Sequence, residues 1–64
     1  MPVIQISMLE GRTVEQKREL VEKVTDVVVD TIKTNRSAVT IVIHEMKKEN
    51  WATAGQLKSD ETAK

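Results

Sequence analysis

Apolar and polar residues alternate along residues 2–8, PVIQISM. Ile4, Ile6 and Met8 fall on one face, and Val3, Gln5 and Ser7 on the other. A period of two with β-branched residues predicts a strand. Leu9-Glu10-Gly11-Arg12 interrupts the alternation and predicts a turn, with Gly11 supplying backbone freedom. The period then changes. Val14, Leu20, Val21, Val24, Val27, Val28 and Ile32 advance mostly by three or four residues, the stripe of an amphipathic helix. Lys17, Arg18, Glu22, Lys23, Asp26 and Asp30 take the remaining surface. Thr13 followed three residues later by Gln16 predicts a capping box, and Glu15 suits the positive end of the helix dipole. The pattern stops near Lys33, leaving Thr34-Asn35-Arg36-Ser37 as a loop.

Alternation returns over residues 38–46, AVTIVIHEM. Val39, Ile41 and Ile43 face one way; Thr40, Val42 and His44 face the other. Lys47-Lys48-Glu49-Asn50 is a polar loop. Trp51 to Leu57, with Gly55, predicts a small hairpin, and the final SDETAK is expected to fray. Strand, helix and strand make one α/β (α+β) domain over residues 1–64, a βαβ subunit with parallel strands and a right-handed crossover. One helix covers one face of a sheet. Copies that join their sheets and pack further would cover the other face and the open edges.

Composition sharpens that expectation. A chain of 64 residues lies near the lower limit for independent folding. Such chains usually need disulfides, a metal or a partner. There is no cysteine, and His44 is the only histidine, so self-association is the remaining staple. Hydrophobic residues make up 39% and aromatics only 2%, so Val, Ile, Leu and Met must build the core. Ten basic and ten acidic residues cancel, which argues against a nucleic-acid partner needing a basic face. No apolar run approaches the ~18 residues of a membrane span. The N-terminus lacks the plan of a signal peptide, so the expected compartment is the cytoplasm.

A few residues carry candidate chemistry. Pro2 becomes an N-terminal secondary amine if Met1 is removed. An amine abstracts a proton only when neutral, and a nearby cation and an apolar pocket both favour that state. Val3, Ile4, Arg12 and Trp51 are the residues that can supply such surroundings. Arg12 follows the glycine turn, at the carboxyl end of strand one where parallel βαβ units place their sites. Its guanidinium suits a carboxylate, or negative charge developing on an enolate oxygen. Trp51 is either core or a pocket wall. His44 has no serine or cysteine signature beside it, and Met8 and Met46 read as filler. No phosphate loop or dinucleotide fingerprint is present.

Pro2 after Met1, Leu9-Glu10-Gly11-Arg12, Thr13 with Glu15-Gln16-Lys17, Glu45-Met46 and the aromatic Trp51 together resemble the 4-oxalocrotonate tautomerase family, across most of the chain. The resemblance implies a βαβ subunit with a C-terminal hairpin, dimers forming a four-stranded sheet, and three dimers forming a hexamer. It implies an isomerase that converts 2-hydroxydienoates such as 2-hydroxymuconate, or phenylenolpyruvate, to keto acids without a cofactor or metal. Pro2 would be the general base. Arg12 would hold a carboxylate, Leu9 would contact substrate through its backbone, and Trp51 would stand where the family usually has Phe. The family's second arginine aligns with Thr40. Thr40 is uncharged, so weaker turnover of 2-hydroxymuconate, or a preference for monoacids, is expected; Arg36 is the nearest substitute. Two other readings compete: a hydratase-like dehalogenase of the same superfamily, and a non-catalytic oligomeric binding module.

Overall fold

The computed structural model describes residues 1–61. Strand β1 (Val3–Leu9) leads through the glycine turn into helix α1 (Val14–Ile32), which returns the chain to strand β2 (Thr40–Met46). A hairpin of β3 (Ala52–Thr53) and β4 (Gln56–Leu57) follows. β1 and β2 run parallel, with Val3 opposite Thr40 and Leu9 opposite Met46.

The two periodicities sort the residues into layers. Ile4, Ile6, Met8, Ile41 and Ile43 are half-buried, as are Leu20, Val21, Val24 and Val28 on the helix. The helix therefore lies on the even-numbered face of β1. Lys17 confirms the side: its Nζ is 2.6 Å from Oε2 of Glu45, which lies on the same face as Ile41 and Ile43. The opposite face, with Val3, Gln5, Ser7, Thr40, Val42 and His44, is exposed throughout. Val14, Val27 and Ile32 were expected in the helix stripe but are 56–65% exposed, because they flank it.

The helix starts where its cap directs. The Gln16 N–H donates to Thr13 Oγ1 at 3.1 Å, and the Thr13 N–H donates to Gln16 Oε1 at 3.0 Å. Lys33 closes the helix in a left-handed conformation (φ 58°, ψ 52°).

Three boundaries differ from the sequence expectation. Leu9 belongs to β1 rather than to the turn, since the next residue, Glu10, still donates its N–H to the Met46 carbonyl at 2.9 Å. Ala38 and Val39 are not strand. Their N–H groups donate to Asn35 and Arg36 in a 3₁₀ turn over Arg36–Ala38, so the ladder begins at Thr40. The expected polar loop and frayed end hold 3₁₀ turns at Lys48–Asn50 and Lys58–Asp60, while Thr62, Ala63 and Lys64 lie outside the described residues. The hairpin turns at Ala54 (φ 56°) and Gly55 (φ 79°), two successive positive angles that match the right-handed twist of its strands.

No described residue is fully buried. The accessible surface is 5185 Å², against roughly 4,100 Å² for a compact monomer of this mass. The radius of gyration is 15.2 Å, against roughly 11 Å for a compact domain of this length. The described residues of one copy alone do not make a core.

Candidate active site

The candidate residues divide between the two ends of the sheet. At the carboxyl end of β1, a hollow of about 500 Å³ opens between the glycine turn and Trp51. Met8, Leu9 and Trp51 give it apolar walls; Ser7 and Glu10 add polar atoms; Arg12 adds the cation. Gly11 holds φ at +124°, a conformation that a side chain would resist, and it redirects the chain so that Arg12 precedes the helix cap. Trp51 arrives from the far side of β2. Its N–H donates to Lys48 at 3.4 Å, and its carbonyl accepts from Lys58 at 2.7 Å, which fixes the neck of the hairpin. The indole is half-buried.

Arg12 also lines a second hollow of about 300 Å³ with Met8, Gln16, Lys17 and Leu20, where the helix meets the sheet. Among the described residues Arg12 makes no ion pair; the four pairs present belong to other side chains. An unpaired guanidinium beside an aromatic wall can take a carboxylate in two parallel hydrogen bonds.

Pro2 and Thr40 lie at the opposite end. The Thr40 N–H donates to the Pro2 carbonyl at 3.1 Å, which ties the start of β1 to the start of β2. Pro2 is half-buried, while Met1 is 95% exposed. With Met1 attached the Pro2 nitrogen is an amide; its removal yields the amine. Seven strand residues at about 3.3 Å each separate Pro2 from Arg12 by roughly 20 Å. The expectation that Arg12 and Trp51 surround Pro2 therefore fails within one chain. They can meet only if a second copy brings its carboxyl end to this copy's Pro2.

Arg36 pairs through Nη1 with Oδ1 of Asp26 on the helix. His44 sits opposite Ser7 on the open sheet face with no hydrogen bond between them. Glu10, Glu45 and Glu49 are the acids that the dehalogenase reading needs to activate water; Glu45 is engaged by Lys17, and Glu10 lies at the first hollow. Ser7 was not among the expected site residues and was legible only as a residue on the strand face shared with Val3 and Gln5.

The pattern of the family described as Tautomerase enzyme matches residues 2–61. The 2-hydroxymuconate tautomerase of Bacillus subtilis is 48% identical over 60 residues, covering 94% of this chain and 97% of that protein. A crystal structure of a 4-oxalocrotonate tautomerase homologue superimposes with a TM-score of 0.91 at 46% identity, covering 95% of this chain and 100% of the other. A heterohexameric 4-oxalocrotonate tautomerase from Chloroflexus aurantiacus gives a TM-score of 0.88 at 28% identity, covering 94% and 97%. The chain belongs to the tautomerase family, and its activity is that of a tautomerase, an isomerase that moves a proton within its substrate. Within the family it is similar to the 4-oxalocrotonate and 2-hydroxymuconate tautomerases in both sequence and fold.

Proposed function

We propose that the chain, once Met1 is removed, ketonises small enol acids of the 2-hydroxydienoate class, with the Pro2 amine as general base. The neutral amine takes the enol hydroxyl proton. The oxygen's electron pair forms the carbonyl, the double bond shifts along the chain, and the resulting prolinium returns the proton to carbon. Atoms and charge balance without a co-reactant. Arg12 binds the carboxylate and stabilises the negative charge that develops as the proton leaves. Leu9 and Trp51 wall the substrate from water, and the apolar surroundings help keep the amine neutral. Thr40 lies beside Pro2 and meets the substrate's other end.

The observation that carries this reading is the pairing of an N-terminal proline with an unpaired arginine in a hollow, in a chain of the tautomerase family. Because the two groups sit at opposite ends of one subunit, the working site forms between copies. A homohexamer in the cytoplasm is the assembly proposed, the hexamer supported by the heterohexameric relative and by the absence of a buried core among the described residues of the single chain.

The test is the rate of 2-hydroxymuconate and phenylenolpyruvate ketonisation by Met1-free protein beside Pro2→Ala. Loss of a positioned general base should cost roughly 10²–10⁴-fold. Equal rates in the two proteins would sink the base assignment and leave a binding module or another superfamily reaction.

A further inference from the structure

Arg12 stands between two hollows. One lies against Leu9 and Trp51; the other lies under the start of the helix, with Met8, Gln16, Lys17 and Leu20. The second leads to an acid. Met8 lies opposite Glu45 in the ladder, and Lys17 Nζ is 2.6 Å from Glu45 Oε2. Arg12 and Glu45 thus share Met8 and Lys17 as neighbours. The Lys17–Glu45 pair is the least exposed of the four among the described residues, its side chains 25% and 34% exposed. A carboxylate so placed is poorly hydrated and draws a cation. Glu10 shares the first hollow with Arg12 but forms no ion pair with it.

We infer that Lys17 is a positioning residue: by holding Glu45 it leaves Arg12 free to take a substrate carboxylate in the hollow beside Trp51. This rests on the role proposed above for Arg12. Without the ammonium, Glu45 would be left as an unpaired acid on the helix side of the sheet. Arg12 is the other cation lining that hollow. An Arg12 turned toward Glu45 is lost to the substrate until binding draws it back. Apparent affinity then falls with the fraction of free Arg12, while the rate of the filled site stays as it was.

The test compares Lys17→Met, which keeps the apolar stem and removes the charge, with Glu45→Gln and the double variant, each as assembled, Met1-free protein. Arg12, Arg18 and Arg36 are the only arginines, so isotopically labelled arginine gives three Nε–H signals, and Arg12→Ala identifies one of them. Lys17→Met should move the Arg12 signal and leave that of Arg36, which Asp26 holds. The double variant should return it to the wild-type position. In 2-hydroxymuconate ketonisation, Lys17→Met should raise KM about tenfold with kcat within twofold. Lys17→Arg, Glu45→Gln and the double variant should all keep KM within about twofold of wild type. A merely structural Lys17 would lower kcat and the melting temperature instead, and removing Glu45 would not repair the loss. An unmoved Arg12 signal in Lys17→Met would overturn the inference, as would a double variant with the KM of Lys17→Met. Should Lys17→Met fail to assemble, Lys17→Gln carries the same comparison. If Arg12→Ala keeps wild-type KM and kcat, the role proposed for Arg12 has failed. The Arg12 signal still decides whether Lys17 keeps Glu45 from it.

Discussion

Arg12 and Arg36 carry the same guanidinium in opposite circumstances, and each predicts a different response to mutation. Arg12 stands on a turn set by Gly11, without an acidic neighbour among the described residues. A charge-assisted hydrogen bond contributes about 1.5–3 kcal/mol, so Arg12→Ala should lower kcat/KM roughly 10- to 150-fold. Arg12→Lys should recover part of that loss, since an ammonium supplies the charge but not the planar fork. An alanine variant with unchanged kcat/KM would remove Arg12 from the site. Pro2 makes a sharper forecast. Protein that retains Met1, identified by intact mass, should be inactive, because its Pro2 nitrogen is an amide. Measuring activity against the fraction of processed chains should give a line through the origin.

At the scale of elements, the helix start is the part most directly tied to the site, since Thr13 follows Arg12. Both hydrogen bonds of the capping box are present. Thr13→Ala should cost about 1 kcal/mol, read as a lower denaturation midpoint at fixed protein concentration. The exposed Glu19–Lys23 pair should matter far less. The hydrogen bond from Lys23 and its charge hold the Glu19 carboxyl below its ordinary value, and the same contacts raise Lys23. Any contribution from Glu19 is present above its unfolded value and fades as pH falls through the lowered one. That from Lys23 is present below its unfolded value and fades as pH rises through the raised one. Around neutral pH the pair is therefore flat, and solvent screens it, so Glu19→Gln should leave the melting temperature nearly unchanged. These elements were legible in the sequence because local rules specify them: alternation gave both long strands and their faces, and Thr13 with Gln16 gave the cap. Ala38 and Val39 read as strand on propensity, but a 3₁₀ turn took their N–H groups first. The distribution of the site was not legible in the same way. Pro2, Arg12 and Trp51 stood out by type, and Leu9 and Thr40 only through the family resemblance, yet only the register shows Pro2 with Thr40 at one end and the other three at the opposite end.

For the whole molecule, that separation and the missing core point to the same requirement. With no fully buried residue among those described, the chain needs other copies for stability, and Pro2 needs another copy to meet Arg12. The open sheet face carries Val3, Val42, Thr40, Gln5 and Ser7, and apart from His44 has no titratable group, although 31% of the chain is charged. Covering it buries apolar surface at little electrostatic cost. Val42→Glu should therefore give a smaller species in sedimentation, a lower melting temperature and little activity, and the wild-type melting temperature should fall on dilution. A mixing experiment tests the shared site directly. Pro2→Ala chains should be nearly inactive alone, and Arg12→Ala chains should keep at most about a tenth of wild-type activity. Unfolded together and reassembled, they form mixed oligomers in which some sites receive the intact proline from one chain and the intact arginine from the other. With random assembly of equal amounts, about a quarter of the sites should be complete, and activity should return toward that fraction of wild type. If each chain built its own site, no mixture could contain a complete one, and activity would stay at the level of the separate variants.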